Sequence, residues 1–459
     1  MTDPHLLVIF GGTGDLARRK LLPAYHLLVS RGTLRDSLVL AVARKPLGDD
    51  DYRTMTAAAL SAAGIPNPVE WCRRCLFYQP ISDGMASLRS RIEALEEEHR
   101  LPGNRAFYLA MPPQEVISTV AALGEAGLAR APGWVRIVVE KPFGYDLESA
   151  RNLNREIGRY FEEEQVYRID HYLAKDTVQN LMVFRFANPL FESSWNRDRV
   201  ARVDISVAET IGVGNRAGYF DRAGIIRDVV QNHALQLLTL VGMEPPVKFS
   251  AGEIRDEKVK VLRSIYPVDP VTVLRGQYQP GVVEGEPVAG YQEEPGVMAG
   301  SLTETFARLG FQIDTWRWRG VPFQVTAGKR LAERLTRITV TFRDPPVALF
   351  EGDGGSHVSG DELRITLQPN EGFDLLIDVK SPGQGFAIRR QSLRFRYAEA
   401  FGPLPDAYEA VLTDLIEGDQ TLFVRADEVE EAWRILTPVL DLPAAPLPYA
   451  AGSWGPRAG

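Results

Sequence analysis

The sequence predicts two successive folds: an α/β N-terminal part with a doubly wound parallel sheet, then an α+β part with a large, mainly antiparallel sheet. Three observations lead there. Short apolar runs alternate with helix-like segments up to about Asp170, the pattern of strands buried on both faces. Beyond that point period-two alternation takes over, the pattern of strands with one polar face. The length of 459 residues suits two domains better than one, and the expected division is 1–170 and 171–459.

Taken in order, Leu6-Leu7-Val8-Ile9-Phe10 reads as the first buried strand, and Leu38 to Ala43 as the second. Phe107 to Ala110 and Val135 to Val139 are further runs of this kind, and Met85 to Arg100 is a charged surface helix. In the second part, Val200 to Val207, Arg337 to Phe342, Leu363 to Leu367 and Phe373 to Val379 alternate as half-buried strands. Gly224 to Val241 has helical spacing. The tail from Leu442 to Gly459 is rich in Pro and Gly and is expected to be an irregular covering segment.

Between the first strand and a helix lies Gly11-Gly12-Thr13-Gly14-Asp15-Leu16-Ala17. Gly11 permits a tight turn, Gly14 lets backbone approach a pyrophosphate, and Ala17 lets the helix pack close to the sheet with its N-terminus facing the anion. This strand–turn–helix context points to a Rossmann-type domain that binds a dinucleotide through Gly11, Gly12, Thr13, Gly14, Asp15 and Leu16. A glycine turn in some other α/β protein is the plain alternative. The second strand ends in Ala43-Arg44-Lys45, with no carboxylate for ribose hydroxyls. Arg44 can grip a 2′-phosphate and stack on adenine, so NADP is the expected cofactor, with NAD as a secondary one; otherwise Arg44 is a solvated surface charge.

Hydrophobic residues make up 45% and charged residues 24%, the balance of a chain able to bury a sizeable core. The net charge of −8 offers no global field for nucleic acid or anionic membrane, so a phosphate-bearing ligand needs a local cationic cluster. The two cysteines, Cys72 and Cys75, have no second pair to complete a thiolate site, so no metal is expected. Without a signal peptide or a long apolar run, the expected setting is the cytoplasm.

Among six histidines, two stand out. Ile226, Val230, His233, Leu237 and Val241 recur at helical spacing, which puts His233 on a core-facing stripe. It is either a satisfied core histidine or, given a carboxylate partner, a general base. In Arg168-Ile169-Asp170-His171-Tyr172-Leu173-Ala174-Lys175, the segment is read as opening a helix. His171 and Lys175 would then share a face with Tyr172 nearby and could bind one phosphate, and Asp170 could be an N-cap.

This last segment resembles the signature of glucose-6-phosphate dehydrogenases. Similar matches follow along the chain: Ile9 to Ala17 with Lys20-Leu21-Leu22-Pro23, Glu140-Lys141-Pro142-Phe143-Gly144, Gly224 to His233, Trp316 to Phe323, and Ala327-Gly328-Lys329-Arg330-Leu331. The resemblance implies oxidation of glucose 6-phosphate at C1 to 6-phosphogluconolactone, with hydride passing to NADP. It implies His233 as general base and Asp170 as the carboxylate that orients its imidazolium. It gives His171, Tyr172, Lys175 and Arg334 to the phosphate, and Lys141 to both sugar and cofactor. Glu209, Asp228 and Lys329 contact sugar hydroxyls, with Gln368 where the family sometimes adds a contact. It also implies a homodimer or homotetramer, and Pro142 as a hinge proline able to form a cis bond. Ala174 stands where relatives usually carry Gly, Asp176 where they carry Glu, and Val325-Thr326-Ala327 where an Arg-Thr pair is commoner. The rival readings are an oxidoreductase for another hexose 6-phosphate or free glucose, and a non-catalytic subunit that kept the fold.

Overall fold

Eighteen strands run through the described residues of the computed structural model, which are 2–347, 349–350, 358–383, 386–402 and 406–457. The first six are β1 His5–Phe10, β2 Ser37–Ala43, β3 Leu76–Pro80, β4 Arg105–Leu109, β5 Val135–Val139 and β6 Val166–Ile169. Then come β7 Val200–Ala208, β8 Leu274–Gln279, β9 Gly281–Val283, β10 Glu286–Val288, β11 Phe306–Phe311 and β12 Phe323–Gly328. The last are β13 Leu335–Phe342, β14 Glu362–Gln368, β15 Gly372–Lys380, β16 Ile388–Arg396, β17 Phe423–Val424 and β18 Leu447–Ala450.

The chain divides into two compact units, and each has its own sheet. The first unit comprises Met1–Lys175, Lys248–Arg255 and Pro405–Val429. Its sheet runs β17-β6-β5-β4-β1-β2-β3, parallel except for β17, which pairs antiparallel with β6. Every residue of β1, β2 and β4 is buried, which is why each reads as an apolar run behind one polar first residue, His5, Ser37 or Arg105. Strand order reverses between β1 and β4, and that switch point is where doubly wound sheets open a crevice at their carboxyl ends.

The second unit comprises Asp176–Val247, Asp256–Leu404 and Glu430–Gly459. Its nine-stranded sheet runs β16-β15-β14-β13-β7-β12-β11-β8-β18. It is mainly antiparallel, as the alternating segments predict, with two parallel pairs, β7/β12 and β8/β18. The strands β9 and β10 form a separate hairpin.

Three expectations are corrected. Asp170 does not open a helix: residues 171–174 are turns, and the helix Asp176–Phe186 begins only after Lys175. The Asp170 carboxylate accepts the Tyr172 N–H at 2.9 Å and its carbonyl accepts the Leu173 N–H at 3.0 Å, so local bonds to Asp170 replace the helical ones. The segment Gly224 to Val241 is not one α-helix. Gly224 has φ 66° and ψ 176°, and the chain beyond it is π-helical over Ile226–Ala234 before α-helix resumes at Leu235–Gly242. The tail is not wholly irregular, because β18 pairs with β8 and seats Tyr449 in the core. Ala458 and Gly459 of that tail lie outside the described residues.

Candidate active site

In the first unit the predicted residues gather at the carboxyl edge of the parallel sheet. Gly11 follows β1, Arg44 follows β2, Glu140 and Lys141 follow β5, and Asp170 follows β6. The glycine loop is held against β2 by the Gly11 N–H to Val42 carbonyl bond at 2.9 Å. A Cβ on Gly11, whose φ is 80°, would come within 2.1 Å of the Ala110 carbonyl oxygen. One on Gly12 would come within 2.6 Å of the Ala41 Cβ, and one on Gly14 within 2.9 Å of the Gly11 carbonyl. The loop is therefore a cradle that side chains would fill, with the helix running on from it as a π-helical turn, Ala17–Leu21, and then Leu22–Ser30. The exposed Asp15 pairs with Arg19 at 2.8 Å, while Arg44 and Lys45 are exposed at the end of β2. This geometry fits the pyrophosphate of a dinucleotide.

Farther along the same edge, the Lys141–Pro142 peptide bond is cis. His171 is held by two residues that the sequence reading did not assign to the site. Its Nε2 lies 3.0 Å from the Tyr408 hydroxyl and 3.4 Å from a Glu140 carboxylate oxygen. The other Glu140 oxygen accepts the Tyr108 hydroxyl at 2.5 Å. Burial, then the Glu140 and Tyr408 charges, push the Tyr108 phenol well above its ordinary value, so it stays a donor. Tyr408 comes from the helix Ala407–Glu417, and Asp406 just before it accepts Lys20 at 2.7 Å. Nothing local in the sequence signals this return. The Lys175 ammonium sits 4.4 Å from the centre of the Tyr172 ring.

In the second unit a different edge is built. β7 and β12 are parallel with Ala208 opposite Gly328, so Glu209 and Lys329 leave the sheet side by side and form an ion pair. Lys329 is buried, with its ammonium 5.2 Å from the Phe220 ring centre. Because β13 is antiparallel to β7, Arg334 enters at this same edge, and Gln368 leaves β14 there. The Gln368 carbonyl accepts Arg334 at 3.4 Å, and its amide donates to Thr336 at 3.0 Å. The segment Ile226–Ala234 packs on β7 and β12. All of it but Arg227 is buried, polar residues included: Asp228 is 3% exposed, Gln231 4%, Asn232 7% and His233 6%. So many buried polar groups on one π-helical stretch are costly unless each finds a hydrogen-bonding or charged partner. Asp228 accepts Arg216 at 3.1 Å.

Comparison with known proteins gives this arrangement a context. Residues 8–180 match the family model described as glucose-6-phosphate dehydrogenase, NAD binding domain, and residues 182–459 match glucose-6-phosphate dehydrogenase, C-terminal domain. The chain belongs to the glucose-6-phosphate dehydrogenase family. A glucose-6-phosphate 1-dehydrogenase of Treponema pallidum is 43% identical over 99% of this chain and 92% of its own length. One from Rhizobium meliloti is 44% identical over 99% of this chain and 95% of its own. Among solved structures, a glucose-6-phosphate dehydrogenase in complex with its substrate glucose-6-phosphate superposes with a TM-score of 0.91 at 36% identity, covering 99% of this chain and 96% of that one. The enzyme of Mycobacterium avium gives 0.85 at 35% identity, with the same coverage.

The dehydrogenase is thus an oxidoreductase with a nucleotide-binding first unit. Its two cysteines are free thiols, and burial pushes Cys72 up to about 11 and Cys75 upward, away from reactivity. Among the described residues no group of His, Cys, Asp and Glu could hold a metal ion, and no helix is long and apolar enough to cross a membrane.

Proposed function

We propose that this dehydrogenase oxidises glucose 6-phosphate at C1 to 6-phosphogluconolactone, the first oxidative step of the pentose phosphate pathway, with His233 as general base. The observation that carries the reading is the buried π-helical stretch with His233 and Asp228, packed on the two strands whose ends bring Glu209 and Lys329 together. His171, Tyr172, Lys175 and Arg334 hold the phosphate; this local cationic set answers the need created by the acidic net charge. Glu209, Asp228, Lys329, Lys141 and, where it reaches, Gln368 orient the sugar hydroxyls. Binding energy from the phosphate fixes C1 for reaction. His233 takes the C1 hydroxyl proton at an imidazole nitrogen, and Asp170 has the role of stabilising the charge that results. When bound, the oxidised nicotinamide accepts the hydride.

NADP is the proposed cofactor, with NAD secondary. Support comes from the cradle at Gly11, Gly12, Thr13, Gly14, Asp15 and Leu16, and from exposed Arg44 at the end of β2 with no carboxylate beside it. A cytoplasmic homodimer or homotetramer, and a boundary near residue 170 between a nucleotide-binding part (1–170) and a substrate-binding and oligomerisation part (171–459), complete the reading. The deciding assay follows nicotinamide absorbance with glucose 6-phosphate or glucose, each with NADP and NAD. Turnover with glucose 6-phosphate far above glucose, and with NADP above NAD, is expected. Equal rates with free glucose would remove the phosphate site from the mechanism.

A further inference from the structure

The segment that carries His233 is anchored at its start by a residue with no part in the chemistry above. Glu304 lies just before β11 and is buried. Its carbonyl accepts the Ile225 N–H at 3.0 Å and its carboxylate accepts the Ile226 N–H at 3.2 Å. These are the first donors of the π-helical stretch, the kind that a helix start leaves without an internal acceptor. Gly224 makes the contact feasible: a Cβ there would come 2.2 Å from the Glu304 carboxylate, and the φ of 66° suits glycine. Burial pushes the Glu304 carboxyl upward, while the backbone donors, Arg275 and Arg227 pull it back. The two arginines line a cleft that opens beside Gly224 and Glu304.

The neighbouring Thr305 does the matching work on the sheet. Its carbonyl accepts the Lys329 N–H at 2.9 Å, and its hydroxyl lies 3.0 Å from the Tyr449 hydroxyl. Tyr449 in turn donates to the Lys329 carbonyl at 2.6 Å. Two consecutive residues thus tie the start of the His233 segment and the Lys329 end of β12 to one point of backbone.

We propose that Glu304, seated on Gly224, is a positioning residue that sets the register of the His233 segment against the Glu209–Lys329 pair. This rests on the reading of His233 as the base. A shift of that helix by a fraction of an ångström misdirects proton removal from C1 while leaving phosphate and cofactor binding in place.

The test is Glu304→Leu, which removes the acceptor of the Ile226 N–H, and, separately, Gly224→Ala in the full chain, with melting temperature, kcat, both KM values and the kinetic isotope effect for glucose 6-phosphate deuterated at C1. The expected result is about a tenfold fall in kcat, KM values within about twofold, and an isotope effect that rises as chemistry becomes slower. A merely structural loss lowers active enzyme without changing the isotope effect. The double variant is expected to be no worse than the worse single one, since both break the same contact. Either variant, folded and with wild-type kcat and isotope effect, overturns the proposal. His233→Asn run alongside separates the two ideas: if it abolishes turnover while Glu304→Leu is unaffected, only the positioning role falls, whereas retained turnover in His233→Asn removes the base itself.

Discussion

The two units build their functional edges from different material. In the first, backbone makes the cradle, and the requirement is for missing side chains at Gly11, Gly12 and Gly14. In the second, side chains make it, and the requirement is for charged and polar groups kept out of water: His233, Asp228 and Lys329 are all buried. A backbone site is specified by a few consecutive residues. The proposed side-chain site draws on positions far apart in the chain, Glu209, Asp228, His233, Lys329, Arg334 and Gln368. The first kind tolerates no added atom, and the second tolerates no lost one.

Five substitutions bear on this contrast, the strongest first. His233→Asn should lower kcat by about 10²–10⁴-fold with little change in KM, the range of a lost general base; steady-state rates near wild type would leave only the core-histidine reading. Gly11→Ala should cost about 2–3 kcal/mol of stability through overpacking and positive φ, read from denaturant unfolding, and should weaken cofactor binding in the folded fraction. If it folds and binds normally, the cradle is not what the backbone contacts suggest. Lys175→Ala should raise KM for glucose 6-phosphate roughly 10–100-fold, the worth of a charge-assisted bond or two, with a smaller fall in kcat. Arg44→Ala should raise KM for NADP about tenfold and leave NAD unchanged; equal loss with both would remove Arg44 from the 2′-phosphate.

The smallest effect belongs to a histidine of the other kind. His5 is fully buried in β1, with its Nε2 2.8 Å from the Tyr25 hydroxyl and its Nδ1 2.8 Å from the Asp3 carbonyl. Desolvation lowers it from 6.5 to about 4. The unfolded chain therefore binds a proton more readily, so this stability is complete above about 6.5 and is lost as the pH falls toward 4. Between pH 7 and 5.5 the loss should be about 1 kcal/mol, and His5→Gln should flatten that part of the stability profile. An unchanged slope would mean that His5 takes up its proton as readily in the folded chain as in the unfolded one.

His5 and His233 also show what a sequence can and cannot say. Both share a buried pattern with apolar residues, His5 at the start of β1 and His233 on the stripe with Ile226, Val230, Leu237 and Val241, and neither pattern tells a packed imidazole from a working one. The glycine loop was legible because its need is local. The strands β1, β2, β4 and β5 were legible because burial on both faces leaves them mostly apolar, with His5, Ser37, Arg105 and Arg136 as the exceptions. The turn at Asp170 was misread as a helix because residues spaced for one were diverted by a side-chain bond. The π-helical register of Ile226–Ala234 escaped because polar groups that tertiary contacts bury look, in sequence, like a solvated face. Tyr408 and Glu304 escaped because each acts across more than two hundred or seventy positions, on His171 and on Ile226 respectively.

The short strand β17 has a consequence for how the chain is made. It closes the β6 edge of the parallel sheet, and its surroundings supply Gln420, whose amide caps the Glu163, Glu164 and Val166 carbonyls, and the Leu415 and Ile416 carbonyls that receive Arg136. During synthesis that edge stays open until residues 423–424 leave the ribosome, on the order of ten seconds or more after β6 itself. The nascent nucleotide-binding half must wait, with the outer edge of β6 exposed to other chains, for a piece of itself encoded far downstream of it.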